Sequence, residues 1–187
     1  MLNPFFSVRN TLRTLGIQTA FLSIFAVLSS CPLYAATFNC TVVKVSDGDT
    51  VKCRTADNSI HKIRLINIDA PEKNQQYGRD STRHLARMIF SKNVLIKYDS
   101  RDRYGRILGN IYYNGTSINK EMVRSGNAWA FREYLNDNEY LTLEKQARKE
   151  RLGLWAYPHP EYPKDYRKRQ KQSNVKHNHH YHRKHYR

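Results

Sequence analysis

Residues 38–54 read FNCTVVKVSDGDTVKCR. Phe38 to Ser46 and Asp49 to Arg54 are rich in β-formers, and Asp47-Gly48 between them is a turn signal, so the stretch predicts a β-hairpin. Folding back at that turn sets Cys40 nearly opposite Cys53, which predicts a disulfide; two small buried thiols are the alternative.

Strand signals recur outward from the hairpin: Ile60 to Ile68, Asn93 to Tyr98, and Arg106 to Tyr113 ending at Asn114-Gly115. Between the third and fourth strands, Leu85, Met88 and Ile89 fall at helical spacing and predict a helix over 78–91. Two more helices are predicted, over 118–125, stopped near Gly126, and over 138–151, with Gly153 as its C-terminal stop. The fold class is α+β, mainly β. Five short strands with a helix after the third is an order compatible with an OB-fold, a five-stranded barrel, here with three helices.

The ends of the 187-residue chain differ from its middle. Arg9 and Arg13 precede an apolar run from Leu15 to Leu28, followed by Leu33-Tyr34-Ala35, the pattern of a cleaved signal peptide. At about 14 residues the run falls short of the ~20 needed to cross a bilayer. Residues 1–35 are therefore expected to direct export, to a periplasm or out of the cell. The other end, Lys164 to Arg187, holds nine Lys or Arg, one Asp and five His, with almost no aliphatic residue. It cannot bury enough apolar surface to offset ordering entropy, so 161–187 is expected to be a disordered tail behind a domain over 36–160. His177, His179, His180, His182 and His185 could bind a transition metal, but a solvated basic arm gripping phosphates fits them better.

Formal net charge is +16, and residues 36–163 alone carry 21 basic and 15 acidic residues. Such an excess attracts a polyanion, whether nucleic acid, anionic lipid or cell-wall polymer, and repels other cations at long range. Acid nevertheless concentrates at two points. Asp47 and Asp49 flank the hairpin turn, and Asp69 and Glu72 follow the third strand. If strands one to three are neighbours in a curled sheet, these carboxylates converge, at an electrostatic cost that a cation would offset. Hard oxygen donors without nearby Cys or His favour Ca²⁺ or Mg²⁺ over zinc. Arg64 lies five residues before Asp69, and Arg106 closes the segment Asp102-Arg-Tyr-Gly-Arg106. A guanidinium binds phosphate through two parallel hydrogen bonds. A metal, a carboxylate beside a water and two such forks are what phosphodiester hydrolysis requires.

Asp47-Gly-Asp-Thr50, Arg64 to Glu72, Asp102 to Arg106 and Gly153-Leu-Trp155 occur in the order and approximate spacing of the staphylococcal nuclease (thermonuclease) family. The chain resembles that family from about Phe38 to Trp155. The resemblance implies an OB-fold barrel with three helices and a Ca²⁺-dependent nuclease that cleaves DNA and RNA, with no obligate protein partner and monomer as the default state. It further implies that Asp49 and Asp69 bind Ca²⁺ by side chain and Ala70 by its backbone carbonyl, in place of the Thr many relatives carry. Asp47 would sit in the outer shell. Glu72 would activate or position the attacking water. Arg64 and Arg106 would clamp the scissile phosphate, and Arg106 would help the 5′-oxygen leave, so that products carry 3′-phosphate. Tyr104 and Tyr134 would contact the terminal phosphate, sugar or base. The competing expectation is an OB-fold module that grips a polyanion without cutting it; such domains typically lose the acidic and Arg residues kept here. The tail could add polyanion binding to either.

Overall fold

A computed structural model of the chain describes residues 36–173. The predicted signal peptide and the five histidines from His177 to His185 lie outside the described residues.

Strands β1 (Ala36–Asp47), β2 (Thr50–Arg54) and β3 (Ile60–Leu65) form an antiparallel meander. A two-residue strand, β4 (Ile68–Asp69), follows. β5 (Asn93–Arg101) pairs antiparallel with β1 and with β6 (Ile107–Tyr113). β6 then runs parallel to β3, with Ile63 opposite Ile107 and Leu65 opposite Gly109. That last pairing closes the five long strands into a barrel. β7 (Thr116–Ser117) extends β6, and β8 (Trp129–Ala130) pairs antiparallel with β4.

Strand periodicity builds the core. Cys40, Val42, Val51, Cys53, Ile63, Leu65, Val94, Ile96, Ile107 and Ile111 alternate inward and are almost fully buried. Truncating one of the larger of these to Ala would cost about 2–5 kcal/mol. Gly109 faces inward where a Cβ would meet the Lys97 carbonyl at 2.8 Å, so its smallness lets β5 and β6 approach. A disulfide joins Cys40 and Cys53, whose Cα atoms are 5.6 Å apart. The strand register sets Val42 opposite Cys53, so the two cysteines are diagonal neighbours on the inward face.

Helix α1 (Gly78–Ile89) lays Ser81, Leu85 and Ile89 against the barrel. α2 (Ile118–Arg124) starts on Ser117, whose hydroxyl accepts the Lys120 N–H, and α3 (Glu139–Lys149) packs beside it. Two short 3₁₀ turns, Arg132–Tyr134 and Gly153–Ala156, complete the domain.

Three expectations need correction. Ile60 to Ile68 is not one strand: the apolar alternation set by Ile63 and Leu65 slips at Ile66, and Asn67 adopts φ 64° and breaks the segment into β3 and β4. The kink is held because the Asn67 carbonyl accepts the Phe131 N–H and its side chain accepts that of Asn136. The described part of the tail is not disordered, for residues 163–173 form a fourth helix, α4. Pro163 begins it, where a missing N–H costs nothing, and the Lys, Arg and Gln that follow are good helix formers. The helices therefore number four among the described residues, not three. None is long and apolar enough to cross a membrane.

Candidate active site

The register of β2 and β3 places Arg64 directly opposite Thr50, one residue from Asp49. Gly48 lets the β1–β2 turn press against α1 and the chain after β4: a Cβ there would fall 1.9 Å from Ser81 Oγ and 2.7 Å from Ala70 Cβ. Asp69 is fixed by pairing with Trp129 across β4 and β8. β8 is itself anchored from α3, because the Ala130 N–H donates to the buried Glu144 carboxylate at 2.8 Å. Glu72 is set by Gly78, where a Cβ would lie 1.8 Å from the Glu72 carbonyl, and by Gln75, whose N–H donates to that carbonyl at 2.8 Å.

Residues distant in sequence meet at this point. Asp49 Oδ2 accepts the Ala70 N–H at 2.8 Å, and Asp49 Oδ1 accepts the Thr50 hydroxyl at 2.9 Å. Arg64 Nη2 lies 3.2 Å from Asp49 Oδ2 and 3.2 Å from Asp69 Oδ1. The other terminal nitrogen of the same guanidinium group is tied to backbone, with Nη1 donating to the carbonyls of Leu65 and Ile68. Asp69 is fully buried, and burial pushes its carboxyl above the ordinary range; the Arg167 hydrogen bond opposes this, Asp49 adds to it, and Arg64 opposes it. Asp47 accepts the Asp49 N–H at 3.1 Å, and burial together with the Asp49 charge pushes it up to about 7. Concentrated negative charge in a poorly solvated spot is what raises both groups.

The structure thus brings together Asp47, Asp49, Arg64, Asp69, Ala70 and Glu72. Arg106 stands apart from the carboxylates. It precedes β6, two positions from Leu108, the residue paired with Arg64, so both arginines project from the outer face of neighbouring strands. Its Nε binds Asp102 Oδ2 at 2.7 Å, and among the described residues its terminal nitrogens have no hydrogen-bonding protein partner. Tyr104 is 68% exposed, with the Arg103 and Arg106 guanidinium groups 4.8 and 5.7 Å from its ring. Tyr134 is 72% exposed on the 3₁₀ turn, its ring 5.0 Å from that of Phe131, which in turn lies 6.0 Å from the Arg64 guanidinium.

One site residue escapes sequence reasoning. Arg167 of α4 sends Nη1 to Glu72 Oε1 at 2.8 Å and Nη2 to Asp69 Oδ2 at 2.9 Å. Composition marks it as one of nine basic residues in a tail, with nothing to single it out.

Among the described residues no group of three or more His, Cys, Asp or Glu side chains is arranged to hold a metal ion. The donors nonetheless suit a hard divalent cation: the carboxylates of Asp49 and Asp69 approach one shared guanidinium nitrogen, with no thiol or imidazole beside them.

A model of the family described as staphylococcal nuclease homologue matches residues 62–157. Among curated proteins, an uncharacterized endonuclease of Haemophilus influenzae is 43% identical over 155 residues, covering 83% of this chain and 86% of that protein. An uncharacterized endonuclease of Escherichia coli is 42% identical over 132 residues, 70% of this chain and 86% of its own length. The micrococcal nuclease of Shigella flexneri is 38% identical over 156 residues, 78% of this chain and 88% of its own.

Proposed function

Because the chain belongs to the staphylococcal nuclease family, and so is a nuclease, we propose that this site hydrolyses phosphodiester bonds of DNA and RNA with Ca²⁺ held by Asp49, Asp69 and the Ala70 carbonyl. The observation that carries the reading is the shared approach of Asp49 and Asp69 to Arg64 Nη2, 3.2 Å from each. Two buried carboxylates 20 positions apart are not brought together without a cationic partner. Bound there, the metal would supply Lewis acidity toward a phosphoryl oxygen.

The chain's own residues do the rest. Glu72, which follows Asp69 by three positions, takes the proton of the attacking water as the new bond to phosphorus forms. The bond from phosphorus to the 5′-oxygen breaks, leaving the phosphate on the 3′ side. Arg64, braced by two carbonyls, and Arg106, whose guanidinium meets Asp102 through Nε alone, receive the charge that builds on the phosphoryl oxygens. Neither guanidinium gives up its own proton, so Arg106 aids the departing oxygen by a hydrogen bond and solvent reprotonates it. Asp47 orients water from the outer shell. Tyr104 and Tyr134, both exposed, offer rings and hydroxyls to sugar and base. Export belongs to the same proposal: the signal-like segment 1–35 and the Cys40–Cys53 bridge both suit an oxidising compartment outside the cytoplasm.

The test is Glu72→Gln, which keeps the shape and removes the base. Cleavage of single-stranded and duplex DNA in Ca²⁺ is expected to fall by at least about 100-fold, with DNA binding retained. Undiminished cleavage would remove Glu72 from the mechanism.

A further inference from the structure

We propose that Arg167 is a resident competitor of the divalent cation, so that α4 latches the active site and must lift before metal can bind. The inference rests on the metal-binding reading of Asp49 and Asp69 given above.

Both oxygens of Asp69 face guanidinium groups. Oδ1 lies 3.2 Å from Arg64 Nη2 and 3.2 Å from Arg167 Nη1, and Oδ2 lies 2.9 Å from Arg167 Nη2. Arg167 Nη1 also binds Glu72 Oε1 at 2.8 Å, so one planar fork spans the proposed metal ligand and the proposed base. A hard cation needs those oxygens at about 2.3–2.6 Å, inside the space the guanidinium fills. The two cannot share Asp69 in this arrangement.

The two arginines differ in how they are held. Arg64 is mostly buried, its side chain 13% exposed, and is tied to two backbone carbonyls as well as to carboxylates. The Arg167 side chain is 39% exposed, and among the described residues its guanidinium hydrogen bonds go only to Asp69 and Glu72. Arg64 is therefore the fixed cation and Arg167 the exchangeable one. The arm that carries it has its own seat. Tyr162 packs edge-on against Trp129 at 5.2 Å, Gln75 Nε2 donates to the Glu161 carbonyl at 2.6 Å, and Lys164 pairs with Glu133. Pro158, Pro160 and Pro163 stiffen the strap that leads to the helix. Releasing Arg167 thus lets α4 swing away from Asp69 about its N-terminal end, where Lys164 meets Glu133, without disturbing the barrel core.

Nucleic acid gives the freed helix another partner, since Lys164, Arg167, Lys168, Arg169 and Lys171 all lie on it. Phosphates that hold α4 away from Asp69 favour metal binding, and by reciprocity metal favours phosphate binding.

The full-length protein and its Arg167→Gln variant, titrated with Ca²⁺ by calorimetry in the absence of nucleic acid, separate the possibilities. The variant is expected to bind Ca²⁺ about tenfold tighter, within the usual range for coupling between sites. In the unaltered protein, hydrogen exchange at the amides of 163–173 is expected to quicken when Ca²⁺ is added. Equal or weaker Ca²⁺ binding by the variant overturns the latch while leaving the metal site standing. Absence of Ca²⁺ binding by both proteins overturns the metal site and the latch with it. Should Arg167→Gln fold poorly, Arg167→Lys keeps the charge and loses the fork, and its Ca²⁺ affinity is expected to exceed that of the unaltered protein; equal affinity overturns the latch.

Discussion

Gly48 separates two acidic residues, and the space beside it is already taken. A Cβ would lie 1.9 Å from Ser81 Oγ and 2.7 Å from Ala70 Cβ, so Gly48→Ala must push the hairpin turn away from α1. The expected cost is about 1–3 kcal/mol, as for other insertions into packed sites. Because Asp49 moves with the turn, Ca²⁺ affinity should fall as well. Urea melts and calcium titrations of Gly48→Ala check both, and unchanged values in both would show that the turn has room to give. Adding Ser81→Ala removes the hydroxyl in the way and should recover part of the loss, less what is forfeited with the Ser81 bond to the Asn127 carbonyl. Asp49, Asp69 and Glu72 are legible in the sequence because acid in a basic chain stands out, and Asp-Gly-Asp marks its own turn. Nothing in that local pattern hints that Ser81 and Ala70 supply the wall.

Among the elements, α1 shows how a buried apolar seam and a titratable group share one helix. Leu85 and Ile89 face the barrel, while His84 turns toward α2, with Nε2 3.2 Å from Ser125 Oγ and Nδ1 3.4 Å from Arg87 Nη2. Burial, and then the Arg87 charge, hold the His84 pKa below its ordinary value near 6.5, with Glu121 opposing them. The unfolded chain therefore takes up a proton, as pH falls through about 6.5, that the folded chain resists, and stability drops with falling pH. His84→Gln should lose less stability than the unaltered protein between about pH 7.5 and 5.5, read as the difference in Tm; parallel curves would exclude His84 as a source. The helices and long strands are legible because their apolar residues repeat at about 3.6 or 2 positions, a property of local sequence. The β3–β4 break shows in the sequence only as the adjacent apolar pair Leu65-Ile66, which slips the alternation by one position, and the kink itself is held by Phe131 and Asn136, far along the chain. α4 is missed for a related reason: lack of apolar residues rules out a core, but its docking uses ion pairs with Glu72, Asp69 and Glu133, which no local pattern announces.

Across the whole molecule, charge is divided between the nuclease domain and a basic C-terminal arm that the proposal above makes both guard and tether. Ending the chain at Pro163 removes nine Lys or Arg and one Asp while leaving Tyr162 on Trp129. Two consequences run in opposite directions. Each phosphate that the protein no longer neutralises flattens the dependence of log K on log salt by about 0.9 for duplex DNA, so the shortened protein should bind duplex more weakly at low salt and with a shallower slope. Arg167 leaves with the arm, so the same protein should need less Ca²⁺ for half-maximal cleavage. Measuring duplex affinity with chelator present from about 50 to 200 mM salt isolates the first effect, and a Ca²⁺ titration of cleavage at one salt isolates the second. A shortened protein with the full salt slope would place the phosphate-binding groups on the barrel alone. One with a reduced slope and an unchanged Ca²⁺ requirement would keep the arm as an electrostatic tether and deny it the guard's role.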